Sequence, residues 1–300
     1  MALTVDLSSE LFVVVLLVLT VLFRQEIPNW TDLALQLTVA GALYFSVVYI
    51  IRILPRGSLA TAVHIGSVMA LFSFLFGAVS NLQHVFIAGW MDQSLVGWET
   101  ALFGGELSVH LQAFASPVLT EWMMFAYVIY IPLLPLIGFL CWCTAGSRGA
   151  VDYLMNLSLA NILCYAGFIV FPIAGPLSHY PDVYSVPLDG GLFTWCGEWV
   201  RSNLHYPGGS LPSPHCAAAT VMLAMLFRYN HRLAWPALPV ILTLYIATVY
   251  GRYHYTSDMI AGILTGLGVL RISPRIAKLM DRAALEVQPV TRFDPESVAD

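Results

Sequence analysis

The chain has 300 residues, 58% of them hydrophobic and 10% charged, with a net charge of −5 and a mean hydropathy of +0.76. This composition excludes an ordinary soluble domain, because several apolar runs approach the roughly 20 residues that a bilayer-spanning helix needs. The acidic balance gives no electrostatic reason to expect nucleic acid as a partner.

In chain order the apolar runs predict spans near 9–23, 33–54, 59–80, 118–143, 150–173, 214–229, 233–250 and 257–272. Their length favours helices over the ten-residue alternating strands of a membrane barrel. The expected fold is therefore all-α, a polytopic transmembrane helical bundle of about eight spans. Residues 1–80 form its N-terminal helices, 81–117 its non-cytoplasmic interfacial helices, 118–272 its core and 273–300 a cytoplasmic tail. The first run, Leu11–Phe23, is short enough to lie in the interface instead of crossing. It lacks a basic n-region and a small-residue cleavage site, so it is expected to stay attached.

Charge gives the orientation. With both termini cytoplasmic, the inner loops and tail hold Arg52, Arg56, Arg148, Arg228, Arg232, Arg271, Arg275, Lys278, Arg282 and Arg292, and the outer side only Arg24, Arg201 and Arg252. That is the positive-inside pattern. If the first run does not cross, the N-terminus moves outside and nothing else changes.

Segment 81–117 carries Leu95, Trp98 and Leu102, then Leu107, Leu111 and Phe114, at i, i+3/i+4, i+7 spacing. Such spacing predicts short helices lying on the membrane or capping the bundle. Asp92 and Glu99 belong to this segment and read as part of its solvated face. After the last span, Arg271, Arg275, Lys278 and Arg282 recur at helical spacing, as positive-inside bias requires. Thr291–Asp300 read as a disordered end.

The cysteines show no paired metal or redox spacing, and Cys141, Cys143 and Cys164 read as buried thiols. Cys196 and Cys216 fall on the same expected side, which leaves a disulfide between them open.

Two stretches carry candidate chemistry, Gly208-Gly209-Ser210-Leu211-Pro212-Ser213-Pro214-His215 and Gly251-Arg252-Tyr253-His254-Tyr255-Thr256-Ser257-Asp258. The topology puts both on the non-cytoplasmic side. Ser213 and Pro214 are a favoured N-cap and first helical residue. His215 then sits in a first turn, where an anion such as phosphate is at home. Gly208 and Gly209 would let backbone approach a ligand. His254 and Asp258, four apart, would meet on one helical face. A carboxylate on one ring nitrogen leaves the other free to attack, and His215 would serve as general acid. A zinc site on His254 and Asp258 is the competing reading, but the other histidines show no compact ligand spacing.

Pro212-Ser213-Pro214-His215 together with His254-Tyr255-Thr256-Ser257-Asp258-Met259-Ile260-Ala261-Gly262 resembles the second and third motifs of the type-2 phosphatidic acid phosphatase superfamily. The resemblance implies a six-helix core and no metal or organic cofactor. It makes His254 the nucleophile on phosphorus, His215 the acid for the leaving group and Asp258 the residue that orients the nucleophile.

Two departures stand out. Thr248 occupies the place of the third motif's arginine, and Phe171-Pro172-Ile173-Ala174-Gly175-Pro176-Leu177 stands where the first motif's lysine and arginine would be. Loss of these phosphate-clamping cations resembles the inositolphosphotransferase and inositol phosphorylceramide synthase branch. The run Asp92-Gln93-Ser94-Leu95, Glu99 and Leu102-Phe103-Gly104, then Leu119-Thr120-Glu121, Tyr127 and Tyr130, is similar to bacterial members of that branch.

A phosphodiester carries one negative charge where a monoester carries about two near neutral pH. A site short of cations is better suited to the diester. Arg252 and Arg201 are candidate replacements for the clamp, beside Ser213 and Gly209 as substrate-binding positions. The expected activity is transfer of a phospho-head group, phosphoinositol by resemblance, from a phospholipid to a lipid alcohol. Hydrolysis of a phosphomonoester, with water as acceptor, is the first alternative, and a non-enzymatic transporter or scramblase the second. The expected location is the bacterial inner membrane. The oligomeric state is not readable from the chain.

Overall fold

The computed structural model describes residues 2–53, 57–204 and 206–286, and all regular structure within them is helical. The long N-terminal helices are α1 (Ala2–Leu22), α2 (Trp30–Ile53) and α3 (Ser58–Val79). Two short ones follow, α4 (Asp92–Phe103) and α5 (Leu107–Leu111), and then α6 (Pro117–Val170). A short α7 (Pro176–His179) and α8 (Leu192–Leu204) lead to α9 (Pro214–Tyr229), α10 (His231–Tyr250) and α11 (Thr256–Glu286).

Among the described residues, six helices are long and apolar enough to cross a membrane. One of them, α6, breaks helical geometry at Ala145 and Gly146. There it folds back on itself: the Tyr153 hydroxyl donates to the Leu134 carbonyl at 2.7 Å, 19 residues away in sequence. Its two arms match the expected spans 118–143 and 150–173. With the 16-residue α9, the bundle contains the eight helices that were expected.

Helix α1 begins well before the expected span because Asp6 and Ser8, the polar residues ahead of that span, find partners there. The buried Asp6 carboxylate accepts from the Tyr44 hydroxyl at 3.1 Å and Arg52 at 3.2 Å, and meets His64 Nε2 at 2.9 Å. One side chain thus ties α1 to α2 and α3. The stretch Val5–Leu22 is long enough to cross. At its other end the last helix passes the expected boundary at 272 and runs to Glu286. The expectation for Thr291–Asp300 lies outside the described residues.

In a bilayer, lipid tails are as apolar as the side chains, so close packing and polar contacts hold helices together rather than hydrophobic burial. The seam between α9 and α11 follows that rule. Cys216, Ala217, Ala218 and Ala219 are fully buried, and Gly262 and Gly266 face them across the seam. A Cβ on Gly262 would stand 2.4 Å from the Ser213 carbonyl oxygen, and one on Gly266 2.7 Å from that of Ala217. This approach brings the first turns of α9 and α11 together.

Helix α4 differs from expectation in the face it buries. Asp92, Leu95 and Glu99 point inward, whereas Trp98 and Leu102 are 55% and 71% exposed. Asp92 and Glu99 are therefore not a solvated face. Both oxygens of Asp92 and Oε1 of Glu99 accept from backbone N–H groups, which offsets part of the cost of burying the carboxylates. The cysteines are all free, so Cys196 and Cys216 are not paired. Cys216 instead lies 3.7 Å from the Thr248 hydroxyl.

Candidate active site

The site is assembled from two turns. Ser213 caps α9, its hydroxyl accepting from the Cys216 N–H at 3.4 Å and its carbonyl from Ala217 at 3.0 Å. Its own N–H donates to the Asp258 carbonyl at 3.0 Å, which links the turn to the start of α11. The second turn leaves α10 through Gly251 and Arg252, the latter at φ 65°. Few non-glycine residues adopt such a backbone, and where they do the surroundings must enforce it. Here the N–H groups of Tyr253 and His254 both donate to the Thr248 carbonyl, at 3.1 and 3.0 Å. The turn delivers His254, 3% exposed, ahead of the helix rather than on it.

His254 and Asp258 therefore do not meet simply as helical i, i+4 neighbours. Their closest atoms, Nδ1 and Oδ2, are 3.6 Å apart, and Ser210 stands between them. Its hydroxyl donates to Asp258 Oδ2 at 2.5 Å and lies 3.2 Å from His254 Nδ1. With that proton committed to the carboxylate, the hydroxyl oxygen accepts from Nδ1–H, which leaves Nε2 as the unprotonated nitrogen. Asp258 Oδ2 also accepts from the Tyr255 N–H at 3.0 Å. Nε2 faces His215 Nδ1 at 3.4 Å. The His215 ring stacks on Tyr127 and tilts over Tyr130, both at 5.0 Å between centroids.

Two carboxylates of α4 hold this turn from behind. Asp92 accepts from the Ala174 and Gly175 N–H groups at 2.8 and 3.0 Å and from the Tyr255 hydroxyl at 3.0 Å. Glu99 accepts from the Ser257 N–H at 2.5 Å and its hydroxyl at 2.8 Å. Burial raises the Glu99 carboxyl above its ordinary value and the charge of Asp258 adds to this, while the bonds from Ser257 oppose both. The loop 171–177, which lacks the clamping cations, is thus a backbone shelf pinned by Asp92.

The remaining candidates are distributed unequally. Gly209 donates its N–H to Gln83 Oε1 at 3.0 Å, and a Cβ on Gly208 would collide with that side chain. The approach these glycines permit is therefore to Gln83. The Arg252 guanidinium lies over the Tyr184 ring at 4.4 Å and donates to the Val186 carbonyl. Burial lowers its proton affinity, with Tyr184 opposing.

Arg201, in contrast, lines a cavity together with His215. Glu198 pairs with it at 2.6 Å and raises its proton affinity. Helix α8, which carries Arg201, is held at its start by Glu121, whose carboxylate accepts from the N–H groups of Gly191, Phe193 and Thr194 at 2.7, 2.7 and 3.1 Å.

Sequence reasoning passed over Ser210 and misread Asp92 and Glu99. Ser210 sat inside the quoted Gly208–His215 stretch, where a hydroxyl next to two glycines was a usable signal. Asp92, Leu95 and Glu99 share the i, i+3, i+7 positions of one face, which marked the carboxylates as inward once Leu95 was. Among the described residues no three His, Cys, Asp or Glu side chains are grouped as a metal site would require.

Residues 93–272 match the PAP2 superfamily. The chain belongs to that superfamily. No curated protein and no solved structure is matched alongside it. As a PAP2 superfamily member it is a membrane enzyme of the phosphatase or phosphotransferase type acting on lipid substrates. The matched region holds both histidines, Asp258, Ser210 and Arg201, and leaves α1, α2 and α3 outside it.

Proposed function

We propose that this PAP2 superfamily enzyme transfers a phospho-head group from a phospholipid to a lipid alcohol through a phosphohistidine. The observation that carries the reading is the pairing of the two rings. His254 Nε2 is turned toward His215, while its Nδ1 is held by Ser210 and, through it, Asp258.

In the first step the Nε2 lone pair attacks phosphorus. The bond to the lipid oxygen breaks, and protonated His215 gives its proton to that oxygen, releasing diacylglycerol. In the second step the acceptor hydroxyl attacks phosphorus, neutral His215 takes its proton, and the phosphorus–nitrogen bond breaks. In-line displacement puts the attacking nitrogen and the leaving oxygen on opposite sides of phosphorus. The rings must part from 3.4 Å as the phosphoryl group enters between them. Positive charge building on His254 is balanced by Asp258 through the Ser210 hydroxyl.

The shortage of cations supports a phosphodiester donor over a monoester. Thr248 and the 171–177 loop bring no cation, and Arg252 is engaged with Tyr184 and Val186. Arg201 is the guanidinium that shares a cavity with His215 and is assigned to the phosphate. Phosphoinositol as the head group follows from the resemblance to the inositolphosphotransferase branch. The same reading puts the site on the non-cytoplasmic side of a bacterial inner membrane, with both termini cytoplasmic.

The test uses purified protein in mixed micelles containing a chelator, supplied with phosphatidylinositol and a ceramide or diacylglycerol acceptor. Phosphatidic acid is run in parallel. The expected result is a new phosphoinositol lipid that the His254→Ala variant does not make. Release of inorganic phosphate from phosphatidic acid with no transfer product would replace transfer by hydrolysis. Equal activity of the variant and the wild type would remove His254 from the chemistry.

A further inference from the structure

A cavity of about 730 Å³ is lined by His215 and Arg201 and by residues of α3 and of both arms of α6. Its volume lies in the range of roughly 300–1,000 Å³ typical of ligand sites. The lining is of two kinds. Arg201, Asn203 and Tyr253 line it with His215, whereas Met69 and Phe72 of α3 and Ile131, Leu134 and Pro135 of α6 give it an apolar wall.

The cavity reaches the outer surface of the bundle. Ser73, Gly77, Ile131 and Pro135 line it and are also exposed. All four lie on helices long and apolar enough to cross a membrane. With those helices across a bilayer, an opening between them would face hydrocarbon. The α3 wall is held in place, since the Tyr165 hydroxyl donates to the Phe72 carbonyl at 3.0 Å and the Tyr206 hydroxyl to that of Phe76 at 2.6 Å. Helix α3 also lies before residues 93–272, outside the match to the superfamily.

We propose that this cavity holds a hydrocarbon chain of the phosphate-bearing donor lipid, entering between α3 and the first arm of α6, and that Met69, Phe72 and Ser73 select its length. The inference rests on the phosphotransfer reading for the position of the phosphate at His215 and Arg201. A chain so placed runs from the reacting phosphorus into the bilayer without crossing water. Specificity for the chain then resides in a helix that precedes the matched residues 93–272.

Two measurements test it on the full chain in mixed micelles. The first uses phosphatidylinositol with a photoactivatable diazirine near the end of one acyl chain, on wild type and on His254→Ala. Cross-links are expected in 69–77 and 131–135. Labels spread evenly over the exposed helical surface, or absent from these segments, would overturn the proposal.

The second compares donors of long and short chain in Ser73→Trp, whose indole would enter the cavity. The ratio of kcat/KM for long over short chains is expected to fall by at least about tenfold, the discrimination an apolar pocket draws from a single misfitted methylene. Val63→Trp, on an exposed part of α3 outside the cavity, should leave the ratio unchanged. Should Ser73→Trp fail to fold, the labelling of the wild type still decides.

The two readings fail separately. Labelled α3 in a protein that turns over no lipid supports the chain site and removes phosphotransfer. Normal transfer with α3 unlabelled and the ratio unaltered does the reverse.

Discussion

Ser210 Oγ lies 3.2 Å from His254 Nδ1, 44 residues away in sequence. This hydroxyl joins the ring to the Asp258 carboxylate, to which it donates. Replacing it by alanine leaves Nδ1–H facing a gap and a buried carboxylate short of a donor. A lost bond to a charged group costs about 1.5–3 kcal/mol, so Ser210→Ala is expected to lower kcat/KM by roughly 10- to 150-fold. Ser210→Thr, which keeps the hydroxyl, should recover part of the loss, and steady-state kinetics on the transferred lipid would show it.

Glu99 predicts a pH dependence. Its carboxyl is held above the ordinary value of 4.5, chiefly by burial. The folded protein therefore keeps a proton that the unfolded chain releases. That contribution is fully present below about pH 4.5 and is lost as pH rises through the folded value. Glu99→Gln keeps an acceptor for Ser257 and cannot ionise, so the stability difference between wild type and variant should shift in favour of the variant as pH rises. Thermal unfolding in detergent at several pH values measures this, and a difference independent of pH would contradict it. Glu99→Ala removes the acceptor and should cost about 1–3 kcal/mol.

Gly262 tests the helix seam. A Cβ there would stand 2.4 Å from the Ser213 carbonyl oxygen, so Gly262→Ala must push α11 off α9. Overpacking of this kind costs about 1–3 kcal/mol, and the shift separates Asp258 and His254 from His215. Lower Tm together with lower kcat is expected. Gly268, where an added Cβ meets nothing within 4 Å, should accept alanine with neither change.

Asp6 belongs to a different part of the bundle. Asp6→Ala leaves Tyr44, Arg52 and His64 without their shared acceptor and should lower stability by about 1–3 kcal/mol. The lesion lies among α1, α2 and α3, so kcat per folded molecule should hold. Thermal unfolding and turnover on the same preparation separate the two effects.

The arginines divide by position. With Arg201 on the phosphate as proposed, Arg201→Ala should raise KM for the lipid and lower kcat/KM by at least tenfold, the loss of about 1.5–3 kcal/mol expected for a hydrogen bond to a charged group. Arg252→Ala should act through the turn instead, lowering Tm along with activity, because its guanidinium holds Tyr184 and Val186. Kinetics and unfolding of the two variants side by side would distinguish these roles.

Much of the protein was readable in one dimension because its signals are local. Apolar runs of spanning length, Ser213 and Pro214 at a helix start, and the break between two runs near Gly146 each act within a few residues. The His254-to-Asp258 spacing and the place of His215 were visible for the same reason. Tertiary structure decided whatever depended on partners far along the chain. Asp92 and Glu99 turn inward because N–H groups of residues 174, 175 and 257 await them, and no local pattern announces a donor 80 or more residues away. Ser210 meets His254 across 44 residues of sequence, at the end of a seam where Gly262 and Gly266 let two helices close on each other. Arg201 rather than Arg252 shares the cavity with His215, since Glu121 fixes α8 while Tyr184 and Val186 turn Arg252 aside. Composition and period select helices and their ends; which of their polar groups meet is settled by packing, which rewards pairing because an unsatisfied buried group is costly.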